Sequence, residues 1–179
     1  LDKNQLETLQ GYISKFKKQY SRGEYKDLIK EREERLEIFS KYYKKEFLAK
    51  MNEHDFGEIV SKLWASEIWF NKEYLIQRIL KDNGIEKIRG ALTKLFFGPG
   101  DMAIKYDEFM KSVKGLGPAS ITEMLCYFDP KEYGVWNNMA RKALKLLKIE
   151  DIVPTKKGHI SGLEYKRFNE LCKLIAGKL

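Results

Sequence analysis

Cysteine is scarce in this chain of 179 residues: there are two, Cys126 and Cys172, and only two histidines, His54 and His159, far apart. That count excludes a zinc site of the usual spacings and a four-cysteine iron–sulfur cluster. Both cysteines fall in apolar helical patterns and read as buried thiols rather than a disulfide, which points to a reducing, intracellular, cytoplasmic compartment. No apolar run approaches the roughly 18–20 residues of a membrane span. The opening "LDKNQLETLQ" lacks the charged-then-apolar order of a signal peptide, and without an initiator Met it suits a processed chain or an excised piece. Strand signals are missing as well: there is no sustained period-two alternation and no Asn-Gly between β-branched runs. The chain has no internal repeat and no low-complexity segment. Proline occurs four times, at 99, 118, 130 and 154, each at a break between helical patterns.

What is abundant is charge and helical periodicity. Lys and Arg number 34 against 26 Asp and Glu, a net charge of +8 that favours an anionic partner. A hydrophobic content of 43% is enough for a sizeable core. Leu6, Leu9, Ile13, Phe16 and Tyr20 step by three and four, and "SRGE" ends that run. A second long helix is expected to carry Leu28, Ile29, Leu36, Phe39, Tyr43 and Phe47 on one face, with the mixed-sign "KEREERLE" as a solvated outer face. Shorter helices are predicted over 56–65, 72–82, 85–96 and 102–113, with "NG" at 83–84 as a C-terminal stop. "SGLE" at 161–164 reads as a capping box opening a last helix to about Ala176. Trp64, Trp69 and Trp136 are placed in the core. The fold class is therefore all-α, a multi-helix bundle: residues 1–52 form an N-terminal helical extension, for linking or packing, and 53–179 a helical domain.

The stretch "KGLGPASITEML" at 114–125 interrupts this pattern with a bare turn. Pro118 suits the first turn of a helix, where its missing N–H is not needed. Gly117 is then the N-cap, and Ala119, Ser120 and Ile121 begin the helix. The free N–H groups of that turn, with the helix dipole, make an anion site. Gly115 and Gly117 leave it open to close approach, and Lys111 and Lys114 add positive charge beside it. Further on, "MARKALKLLK" carries Arg141, Lys142, Lys145 and Lys148 with no acid among them, and Lys156 and Lys157 follow. Arg141, Lys145 and Lys148 are spaced by four and three and are expected on one helix face, suited to phosphate contacts of little sequence preference.

The turn with a helix on each side resembles the helix-hairpin-helix motif, with Val113, Gly115, Leu116, Gly117, Ala119 and Ile121 in its hydrophobic, glycine and small-residue places. Residues 102–148 more widely resemble the HhH-GPD core of base-excision DNA glycosylases; the first 50 residues are outside the resemblance. The resemblance implies a hairpin whose backbone N–H groups hold a DNA phosphate, aided by a bound monovalent cation. It also implies two catalytic side chains that this chain lacks. The lysine nucleophile of bifunctional members falls on Ala119. The aspartate that stabilises the sugar cation falls in the window of Trp136, Asn137 and Asn138. An amide offers neither the charge nor the basicity for that step. One of Asn137 and Asn138 is expected to cap the following helix, and the other to bond a phosphate or base edge.

The expectation is thus a non-catalytic domain that grips duplex DNA through the hairpin, with no cofactor beyond that cation. Such a domain would serve as a recognition module beside or fused to a nuclease or ATPase of a restriction or repair system. Two alternatives stand beside it: an active monofunctional glycosylase using Asp129 or Glu132, and a helical protein-interaction module whose hairpin is only a corner.

Overall fold

The computed structural model describes residues 1–149 and 158–178, and every described element is helical. Lys156, Lys157 and Pro154 lie outside the described residues. α1 (Lys3–Ser21) begins at Asp2, whose carboxylate accepts from the Gln5 N–H (2.8 Å) while the Gln5 side chain takes the Asp2 N–H (2.9 Å). α2 (Lys26–Tyr42) and α3 (Lys45–Lys50) replace the single long helix expected there. The chain leaves helical geometry at Tyr43 and is extended at Lys44, so Phe47 sits on a separate helix from Phe39. α4 (Glu53–Ser61) follows, then a 3-10 turn at Trp64–Ser66.

α5 (Lys72–Asn83) ends at Gly84, at φ 74°, as the Asn-Gly pair led one to expect. α6 (Ile85–Phe97), α7 (Met102–Ser112) and α8 (Pro118–Phe128) come next. α9 (Asn138–Leu146) and α10 (Gly162–Ala176) complete the set. Ser161 and Glu164 form the capping box read from "SGLE": the Ser161 N–H donates to Glu164 Oε2 at 2.7 Å and the Glu164 N–H to Ser161 Oγ at 3.3 Å.

α8 is the centre of the bundle. Ile121, Met124 and Leu125 are fully buried, and α2 packs along it. There Phe39 stacks on Tyr127 with ring centroids 4.3 Å apart. Leu48 and Met51 are also fully buried, so side chains from the first 52 residues belong to the same apolar core as those of the later helices. α7 is clamped from the other side by α10. A Cβ on Gly162 would lie 1.9 Å from the Ala103 carbonyl oxygen, so only glycine allows this approach. The Gly162 N–H donates to Asp107 Oδ1 at 2.7 Å.

Two of the three tryptophans are not where the sequence placed them. Trp136 is buried, but Trp64 and Trp69 are 38% and 39% exposed. Both lie in the short connection between α4 and α5, where Trp64 Nε1 reaches out to Glu31 of α2 at 2.9 Å rather than into the core. Arg35 is the reverse case. It belongs to the expected solvated face, yet its side chain is only 16% exposed. Its guanidinium lies 4.9 Å over the Trp64 ring, bonds Glu31 at 2.9 Å and donates to the Lys62 carbonyl.

Candidate functional site

The site is built on the connection between α7 and α8. Val113 and Leu116 are buried and hold the turn down, and Ile121 anchors the first turn of α8. Gly115 and Gly117 lie on the exposed side, as do Lys111 and Lys114; Ala119 and Ser120 are half-buried. The two glycines have separate physical reasons. Gly115 adopts φ 91°, and a Cβ there would come within 2.8 Å of Ile79 Cγ1. Gly117 has φ −88° and open space around its missing Cβ.

Asn83, at the end of α5, fixes the turn from below. Its side-chain oxygen accepts from the Lys114 N–H (2.8 Å), and its amide donates to the Lys114 carbonyl (2.9 Å) and the Ile79 carbonyl (2.7 Å). Sequence reasoning assigned Asn83 only to a helix stop; no local signal tells that its side chain reaches residue 114. The N–H groups of Gly115, Leu116, Gly117, Ala119 and Ser120 have no acceptor among the described residues. Five donors therefore gather at one exposed corner, at a helix N-terminus and beside two lysines.

Thr122 ties a second helix start to this corner. Its hydroxyl donates to the Pro118 carbonyl (2.8 Å) and accepts from the Trp136 N–H (2.8 Å), so the residues before α9 are held against the first turn of α8. Trp136 Nε1 donates to the Gly158 carbonyl at 3.1 Å. Asn137 is the N-cap of α9, its side chain accepting from the Ala140 N–H at 2.9 Å. Asn138 is exposed, and its oxygen accepts from Arg141 Nη2 at 3.4 Å. The division of labour between the two asparagines is the expected one as regards the cap.

Lys142 and Lys145 are exposed, Arg141 is half-buried, and none of the ion pairs among the described residues engages them. Lys148 departs from the expected stripe. α9 ends at Leu146, and Lys148 takes φ 54° in a reversal where its N–H bonds the Lys145 carbonyl (3.0 Å) and the Ile149 N–H bonds the Leu144 carbonyl (3.1 Å). That is a Schellman closure with lysine in the place usually taken by glycine. The Lys148 carbonyl in turn accepts from Gln5 of α1 at 2.6 Å.

The carboxylates lie elsewhere. Asp129 caps the far end of α8 and accepts from the Lys131 N–H at 3.1 Å. Glu132 pairs with Lys173 of α10. α8 has 11 residues, so both stand about 16 Å along the helix from the hairpin. Among the described residues the one deeply buried acid is Glu123, which sequence reasoning passed over as part of a helix. Its two oxygens accept from the N–H groups of Trp64 (2.8 Å) and Ala65 (2.9 Å) and so cap the 3-10 turn. Burial pushes its pKa up, against the lowering effect of those two donors and the nearby Arg35 charge.

Both thiols are free, and burial raises their pKa values, that of Cys172 to about 12. Among the described residues no three His, Cys, Asp or Glu side chains converge as metal ligands, and no helix is long and apolar enough to cross a membrane. No protein-family model matches the chain, and neither a curated protein nor a solved structure is significantly similar to it.

Proposed function

We propose that this chain is a non-catalytic DNA-binding domain of the HhH-GPD glycosylase-like type, gripping the phosphate backbone of a duplex at the α7–α8 hairpin. The observation that carries the reading is the cluster of five N–H groups without acceptors among the described residues, displayed at the start of α8 just after Lys111 and Lys114. A phosphate satisfies such a cluster with charge-assisted bonds, and Gly117 leaves room for it to approach. Lys142 and Lys145 add charge on the adjoining α9, and Asn138 offers an amide to a phosphate or base edge. The carbonyls of Val113, Gly115 and Leu116 have no donor among the described residues, an all-oxygen set that would suit a hard monovalent cation under the bound phosphate.

The absence of chemistry rests on residue types. Ala119 supplies no amine, and Asn137 spends its side-chain oxygen on the α9 backbone. Asp129 and Glu132, the acids that an unusual glycosylase would need, are committed at the opposite end of α8. The reading extends by analogy to a recognition module working beside a nuclease or ATPase. A protein-interaction module is the second reading, and it is favoured by one feature: Ile68 and Phe70 are 86% and 107% exposed in the loop that also carries Trp64 and Trp69.

The test is a fluorescence anisotropy titration with a labelled duplex of roughly 20–25 base pairs at several salt concentrations. Micromolar or tighter binding that weakens steeply with salt is expected, with loss of affinity in Gly117→Ala while the fold is kept. A folded chain that binds no duplex at low salt overturns the proposal and leaves the exposed 68–70 loop as the functional surface.

A further inference from the structure

The hairpin corner is small, and the charge around it does not stop there. Between α6 and α7 runs a cleft of about 500 Å³ whose lining includes Lys87, Lys94, Lys105 and Lys111, against one carboxylate, Glu108. Glu108 bonds Lys94 at 2.9 Å, and Lys105 donates to the Gly98 carbonyl at 3.0 Å; Lys87 and Lys111 have no partner among the described residues. Lys87 stands in the first turn of α6 and Lys111 in the last turn of α7, three residues before Lys114. The cleft therefore opens at the hairpin and leads away from it.

Gly90 lies on the lip of this cleft, in the middle of α6. Helix interiors disfavour glycine more than any residue but proline. Nothing in the fold asks for it: its backbone is ordinary right-handed helix, and a Cβ there would meet no atom within 4 Å. A bare helix surface inside a basic cleft suits the close approach of a ligand backbone. Lys87 and Lys94 are seven residues apart, about 10 Å along the axis, so the basic lining is longer than a single phosphate.

We infer that the α6–α7 cleft is a second phosphate track, in which the DNA strand held at the hairpin continues past Lys111 and Lys87 and over Gly90. This inference rests on the proposed DNA-binding reading and widens its footprint from one corner to two helices. The partner it names is a duplex long enough to reach both places, rather than a short end or a lone phosphate.

The experiment compares wild type with Lys87→Gln, Gly90→Gln and Gly117→Ala on labelled duplexes of about 25 and about 8 base pairs, across a salt series, beside thermal melts. On the long duplex, Lys87→Gln is expected to reduce the slope of log K against log salt by about 0.9, one phosphate contact. Gly90→Gln is expected to raise the melting temperature, because glutamine is the better helix former, and still to weaken long-duplex binding about tenfold. On the short duplex both variants should match wild type, whereas Gly117→Ala weakens both lengths. Wild-type affinity and slope for the two cleft variants on the long duplex, with Gly117→Ala impaired, would overturn the cleft and leave the hairpin standing. No binding by wild type at either length would overturn both. Saturable binding of inorganic pyrophosphate that is lost in Lys87→Gln, with duplex binding unchanged, would reassign the cleft to a small anion and sink the strand track.

Discussion

Gly115 and Gly117 are two residues apart in one turn, yet a methyl group added to each meets different surroundings. At Gly115 it meets left-handed backbone and the Ile79 side chain at 2.8 Å. Gly115→Ala should therefore lower stability by about 2–3 kcal/mol in urea unfolding, from the strained φ together with overpacking. Gly117→Ala should change stability by less than about 0.5 kcal/mol, since it resembles an open surface substitution. Lys148 offers the opposite case. Its φ of 54° is the kind of geometry that glycine adopts freely, and Lys148→Gly should raise stability by about 1 kcal/mol without touching the hairpin.

Glu123 gives a dependence on pH. Burial raises its pKa above the ordinary 4.5, so the native chain keeps this proton to a higher pH than the unfolded chain does. Its contribution is full below 4.5 and is lost as pH rises through the folded value. Melting temperatures taken between pH 4 and pH 7 should accordingly show a fall in wild type that is absent in Glu123→Gln. Glu123→Ala should cost about 1–2 kcal/mol at neutral pH, because it leaves two part-buried N–H groups without their acceptor. A flat wild-type profile that matches Glu123→Gln would refute this account.

At the scale of elements, the informative contacts are those between helices distant in the chain. α2 lies against α8 through Phe39 and Tyr127, and Phe39 is fully buried. Phe39→Ala should cost about 3–5 kcal/mol, the range for emptying a buried aromatic site. A chain beginning at residue 53 should for the same reason lose the sharp unfolding transition of the full chain, which denaturant titration would reveal. Most helix boundaries were legible to within a residue or two, because capping residues and glycine stops act locally. Asp2, Asn52, Asn71, Asp101, Asn137 and Ser161 all accept a backbone N–H in the first turn they precede. The break at Tyr43 and Lys44 was not legible, because the apolar spacing continues through it and no glycine or proline marks it.

For the whole molecule, the net charge of +8 says little until it is mapped. The first helices mix both signs, and in the folded chain Arg35, Glu31 and Glu67 satisfy one another around Trp64. Lys111, Lys114, Lys142 and Lys145 are exposed cations that no ion pair among the described residues engages, and Lys114 belongs to the hairpin turn itself. A binding surface of this kind should show log K falling linearly with log salt, with a slope of about −0.9 for each phosphate neutralised. Several such contacts on a long duplex are expected, and a slope near zero would mean that the charge is only a solvated surface.

By itself the sequence determined the all-α class, most helix limits and the turn at 114–117, since capping, glycine geometry and apolar period act within a few residues. It also determined that Ala119 offers no amine and Asn137 no carboxylate, since that is a matter of residue type in any fold. Only the tertiary structure decided that Asn83 braces the hairpin, that Thr122 joins it to α9, and that Glu123 caps a turn 58 and 59 residues away. It also moved Trp64 and Trp69 outward and drew Arg35 inward. Those outcomes depend on which helix faces meet, and an amphipathic pattern states that a face is buried without naming what lies against it.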